Sequence, residues 1–102
     1  MRGEIHSIEP DGTVTVTGVS GSGPAILQKL QDRVGGWIET VPFFTEFEGR
    51  RAVAFCSEEG KLNGLPLNRK ATELWLEQFK TDDVLVGTVA VVTGDEAFMR
   101  TL

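Results

Sequence analysis

Apolar and polar positions alternate most strictly at Thr13-Val14-Thr15-Val16-Thr17, where every second side chain is apolar. A period of two is the pattern of a strand with one buried and one solvated face. The preceding Pro10-Asp11-Gly12 joins a fixed φ, a carboxylate able to cap its own turn and a residue tolerant of positive φ. It predicts a hairpin back to a first strand over residues 4–9. Ile5 and Ile8 are three apart, which fits a short or bulged strand there.

The period then lengthens. Gly18-Val19-Ser20-Gly21-Ser22-Gly23 is a flexible link, and Pro24 suits the first position of a helix, where no N–H is needed. Leu27, Leu30 and Val34, with Ile26 alongside, mark its apolar face, and Gly35-Gly36 supplies the positive φ that ends it. Strands follow over 37–41 and 51–56, joined by a connection that holds Phe43, Phe44 and Phe47. Residues 57–67 carry Gly60, Asn63, Gly64 and Pro66 and read as a loop. Asn68 caps a second helix with Ala71, Leu74, Trp75 and Phe79 on one side. Residues 84–92 are β-rich and apolar on both faces, as in a central strand. The stretch 95–102 is a short helix or a loose tail. The expected class is α+β: one small domain over 1–102, in the order ββαββαβ, with two helices packed on a mixed, mainly antiparallel sheet.

The 102 residues carry a net charge of −5. Five basic residues face seven acidic ones up to Arg51, and five face eight after it, so there is no basic stripe. A duplex binder clusters Lys and Arg to neutralise phosphates, which makes duplex nucleic acid an unlikely partner. No apolar run approaches the roughly 18 residues of a membrane span, and the start Met1-Arg2-Gly3-Glu4 lacks a signal-peptide core. With a single Cys and a single His, the expectation is a cytoplasmic protein without a disulfide, metal or cofactor.

Three places carry candidate chemistry. Trp37 and Glu39 alternate with Ile38, so they can project from one face of a strand and stack on and hydrogen-bond a ligand; the plainer alternative is a solvated edge. The loop and helix start bearing Glu58, Glu59, Lys61, Asn68 and Arg69 concentrates charge between a strand end and a helix, where a rigid scaffold aims functional side chains. Phe43, Phe44 and Phe47 either fold over the core or form an exposed apolar contact; self-association as a homodimer through this hairpin is the expected use. The Gly21-Ser22-Gly23-Pro24 helix start could offer backbone N–H groups to an anion, although it lacks the Gly-Lys-Ser/Thr ending of a phosphate loop. Cys56 and His6 show no activated pair, and no catalytic residue is assigned.

Taken together, Leu30 with Val34-Gly35-Gly36-Trp37-Ile38-Glu39-Thr40-Val41, Glu58-Glu59-Gly60-Lys61-Leu62, Leu65-Pro66 with Asn68 and Ala71, and Asp83-Val84-Leu85-Val86-Gly87 resemble the domain-of-unknown-function 3846 family. This is a family of small proteins of bacteriophages, notably actinobacteriophages, and of mobile elements. Ser57 stands where the family usually has an acid, and Trp37 where Tyr is common. The resemblance implies a phage-type accessory protein at work in the host cytoplasm, and no reaction. The expectation is a non-enzymatic binding module acting on a host protein, with Glu39, Glu58, Glu59, Lys61 and Asn68 giving specificity. The alternative is a binder of a small nucleotide-like ligand, in which Trp37 stacks a base and Lys61 or Arg69 meets phosphate. A small enzyme is the third class.

Overall fold

Asp11 accepts a hydrogen bond from the Thr13 amide at 2.9 Å, Gly12 takes φ +91°, and the Glu9 amide donates to the Thr13 carbonyl at 2.8 Å. This turn joins strands β1 (Arg2–Ile8) and β2 (Val14–Ser20) in the hairpin that the sequence predicts. The computed structural model describes residues 2–102, with residues 23 and 24 by their backbone alone. The register of β1 runs unbroken over seven residues from Arg2 opposite Ser20 to Ile8 opposite Val14, so the strand is neither short nor bulged. The Ile5–Ile8 spacing has another cause. Strand β1 is covered on both faces, with Ile5 in one apolar layer and Ile8 in the other, so no single parity holds its apolar residues.

Helix α1 (Gly23–Val34) buries Ile26, Leu30 and Val34 and leaves Leu27 exposed. Gly35 ends it at φ +91°, its amide bonded to the Gln31 carbonyl at 2.8 Å. The chain continues as β3 (Ile38–Thr40), a two-residue ladder of β4 (Glu46–Phe47) with β5 (Arg50–Arg51), and β6 (Val53–Ser57). Glu48 and Gly49, at φ +52° and +77°, form the tight turn of that ladder. Helix α2 (Arg69–Leu76) starts at Asn68, β7 (Val89–Gly94) follows, and α3 (Glu96–Met99) closes the described chain.

The main sheet has the order β2-β1-β7-β6-β3, and each of its pairings is antiparallel. The class is α+β. The last strand enters the middle, and its alternation divides the core. Val89 and Val91 face α2 with Ile8, Ala54, Cys56 and Trp75, whereas Ala90 and Val92 face α1 and α3 with Ile5, Leu30 and Phe98. Each large side chain so buried contributes about 1.5–3 kcal/mol. Residues 84–88 do not join this strand. Val86 makes an isolated bridge with Leu67, and Gly87 turns the chain at φ +71°. The stretch 95–102 is no loose tail, because Phe98 and Met99 of α3 are buried. The Phe98 ring lies against Gly94 and Gly3. A Cβ on Gly94 would fall 2.5 Å from that ring and 2.7 Å from the Arg2 carbonyl oxygen, so only glycine fits this crossing.

Candidate functional site

Strand β3 pairs with β6 so that Glu39 lies opposite Cys56, and both side chains face the α2 layer. Beneath them Trp75 of α2 forms the floor, fixed by its indole N–H donating to the Pro42 carbonyl at 2.8 Å. One wall is the loop after β6. Its backbone is tied back by Glu58 N–H to the Trp37 carbonyl at 3.0 Å, Asn63 N–H to the Glu59 carbonyl at 2.9 Å and Leu65 N–H to the Gly60 carbonyl at 3.0 Å. The opposite wall is the segment 83–86, where the Asp83 carboxylate accepts from the Val84 amide at 2.8 Å. The walls approach closely at Gly60, where a Cβ would meet Val86 at 2.9 Å. Lys61 forms an ion pair with Asp83, so one side chain from each wall joins them. The result is a cleft of about 550 Å³ at the short-strand edge of the sheet.

Four carboxylates line it, those of Glu39, Glu58, Glu59 and Asp83, against the single ammonium of Lys61, a formal charge of −3. The hydrogen bond from Lys61 and that from the Val84 amide hold the Asp83 carboxyl below its ordinary value. Cys56 is pushed the other way. Burial, and then the charge of Glu39, whose Oε1 lies 3.9 Å from Sγ, raise the thiol to about 11. At neutral pH it is a protonated wall of the cleft and no nucleophile. Among the described residues no three His, Cys, Asp or Glu side chains gather as metal ligands.

The cleft unites Glu39, Glu58, Glu59 and Lys61 and separates them from the other residues expected beside them. Trp37 precedes β3 and is 72% exposed; its side chain borders a shallow groove with Gln28, Asp32 and Gly36 at the end of α1. It does not share the face of Glu39. Asn68 is completely buried. Its amide donates to the carbonyls of Ile8 and Gly87 at 2.8 Å each, and its Oδ1 accepts from the Ala71 amide at 3.1 Å. Those bonds use both of its amide hydrogens, so its place is structural and not in a ligand site. Arg69 is exposed on the first turn of α2, away from the cleft lining. A stacking ring and a phosphate-binding cation are therefore not brought together around one pocket.

The phenylalanine connection is corrected likewise. Phe44 and Phe47 are buried in the α2 layer, Phe47 tilted against His6 at 4.8 Å, and only Phe43 is exposed. Phe43 takes φ +61° and stacks on Phe79 at 4.6 Å. A three-ring apolar contact does not exist on the surface. At the start of α1 the amides of Ala25 and Ile26 already bond to the Ser22 carbonyl at 3.1 and 3.2 Å, and proline has no N–H, which leaves little for an anion; the side chains at 23 and 24 lie outside the described residues. Cys56 and His6 have separate partners, since His6 Nε2 bonds to Thr93 Oγ1 at 3.1 Å. Asp83 and Trp75 belong to the site although the sequence does not single them out. Asp82-Asp83 has the pattern of helix-end solvation and Trp75 that of a helix's core stripe, and the signal lies in the apolar run after Asp83, which returns to line the cleft.

An antiparallel sheet between helical layers, with an acidic cleft at its short edge, defines the class of protein. The family described as Domain of unknown function (DUF3846) matches residues 1–101, and the chain belongs to it. No curated protein and no solved structure matches the chain. Among the described residues no helix is long and apolar enough to cross a membrane.

Proposed function

We propose that the chain is a non-enzymatic binding module whose cleft receives a cationic side chain, arginine above all, from a segment of a host protein. The observation that supports this reading is the charge of the lining. Four carboxylates share a concave space of about 550 Å³ with one lysine that is already paired to one of them. Carboxylates focused in a cleft attract cations and repel phosphates. A guanidinium presents a planar fork that two carboxylates can accept, and its flat face suits the apolar floor at Trp75. The phage-type resemblance supplies the setting, an accessory protein acting stoichiometrically in the host cytoplasm.

Titration calorimetry tests this with three probes: a short neutral peptide carrying a central arginine, the same peptide with glutamate there, and a mononucleotide. The arginine peptide binds. Its affinity falls as salt rises, and falls about tenfold or more in the Glu39→Gln/Glu58→Gln double variant, the loss expected for close charge pairs in a shielded site. Silence from the arginine peptide, or binding of the mononucleotide alone, overturns the reading.

A further inference from the structure

Strand β2 forms one margin of the sheet, and the only strand paired with it among the described residues is β1. We propose that this margin is a self-recognition surface, where β2 of one chain pairs antiparallel with β2 of a second copy to form a continuous ten-strand sheet. The proposal is independent of the cleft.

The Glu9 amide donates to the Thr13 carbonyl, which sets the alternation along the hairpin. With the register observed, the backbone groups of Thr13, Thr15, Thr17 and Val19 are directed at β1, and those of Val14, Val16, Gly18 and Ser20 point outward. Sheets ordinarily protect such a margin with charge, proline, a bulge or a very short strand. The seven residues Val14-Thr15-Val16-Thr17-Gly18-Val19-Ser20 contain no charge and no proline, and their register is unbroken. The other margin, β3, has three residues and carries Glu39.

Two features fit a second copy. First, β2 can pair with its own copy about an axis at Thr17. A two-fold axis there pairs Val14 with Ser20 and Val16 with Gly18 of the other copy over the whole strand, and satisfies about eight backbone hydrogen bonds. Second, this register explains Gly18. Glycine inside a strand is destabilising and often marks a close approach by another chain. Within one chain Gly18 has no such role: its φ is not positive, and a Cβ there would meet nothing within 4 Å. In the paired form it lies opposite Val16, which is 52% exposed and gains a place to pack. The charged groups near Thr17 are Lys29, Asp32 and Arg33 of α1, with Arg33 Nη2 donating to Thr17 Oγ1 at 2.6 Å. They reach the helical side of β2 and leave its hydrogen-bonding margin open. The axis at Thr17 brings the exposed Arg33 of the two copies near one another, with an Asp32 beside each to offset the like charge.

Sedimentation velocity over a concentration series, together with cysteine cross-linking, tests the pairing. The whole chain sediments at twice the 11.1 kDa of one copy. Thr17→Cys forms a disulfide-linked dimer under mild oxidation, because residues opposite each other in a non-hydrogen-bonded pair have Cα atoms about 4.5 Å apart. Thr15→Cys does not, because the register separates its two copies by about 13 Å. Val16→Pro, which removes an outward N–H and no bond to β1, gives a monomer with an unchanged circular dichroism spectrum. If that variant fails to fold, the contrast between positions 17 and 15 decides alone. A monomer at every concentration overturns the proposal, as does a dimer that cross-links equally at both positions. So does a β2 margin taken up by a different protein while the purified chain stays monomeric.

Discussion

Replacing Asn68 with alanine removes three hydrogen bonds at the junction of β1, α2 and the turn at Gly87. The cap on the Ala71 amide accounts for about 1 kcal/mol. The carbonyls of Ile8 and Gly87 lose a donor in a place closed to water, at about 1–2 kcal/mol each. Asn68→Ala therefore costs about 3–5 kcal/mol, a large share of the roughly 5–15 kcal/mol that holds such a domain. Urea unfolding followed by tryptophan fluorescence reads this as a lower midpoint with an unchanged slope. Asn68→Asp sharpens the test. Its carboxylate can still cap Ala71 but sets negative oxygen against two carbonyl oxygens, so the variant is weakest at neutral pH and regains stability as acid protonates it. A loss below about 1 kcal/mol in Asn68→Ala, or normal stability with loss of ligand binding, refutes the structural role and restores Asn68 to the site.

Three further outcomes follow from the same geometry. Phe44→Ala costs about 3–5 kcal/mol by thermal or urea unfolding, whereas Phe43→Ala, at a ring 64% exposed, costs about 1 kcal/mol or less and leaves the oligomeric state unchanged. Alkylation of Cys56 is slow at pH 8, with a thiolate fraction about 100-fold below that of an ordinary thiol, and Glu39→Gln speeds it without restoring the ordinary rate, because burial is the larger cause. The Asp95 carboxyl is held below its ordinary value by the Phe98 and Arg2 amides; its stabilisation is complete above about pH 4 and fades as pH falls through the lowered value. Asp95→Asn keeps an oxygen to cap Phe98 but loses the charge and the acceptor for the Arg2 amide, so the variant is less stable at neutral pH and its acid titration, followed by circular dichroism, is shallower.

The elements set by local chemistry were readable from the chain. Pro10-Asp11-Gly12 made the first hairpin, Gly35 ended α1, and Asn68 began α2, because each depends on a side chain and its immediate neighbours. Long-range choices were not readable. Val84 and Val86 are as β-prone as Val89 and Val91, and only the partners differ: β1 and β6 are available from Val89 onward, whereas Gly87 turns the earlier residues over the cleft. The same limit divides the site. Glu39, Glu58, Glu59 and Lys61 could be chosen as charged residues at a strand and loop, yet their meeting with Asp83 depends on the fold of residues 81–88. Trp37 failed for a local reason: strict alternation from Glu39 back to Trp37 requires a strand, and β3 begins one residue later, after Gly36 has turned the chain at φ +151°.

The central claim is that the acidic cleft is where this protein meets its partner, and amide chemical-shift mapping with the arginine peptide tests it most directly. The account predicts saturable shifts in Glu39, Cys56, the loop 58–62 and residues 83–86, abolished in Glu39→Gln/Glu58→Gln, with α1 and the groove at Trp37 unmoved. Shifts confined to Trp37, Gln28 and Asp32, or a pattern that survives the double substitution, would contradict it.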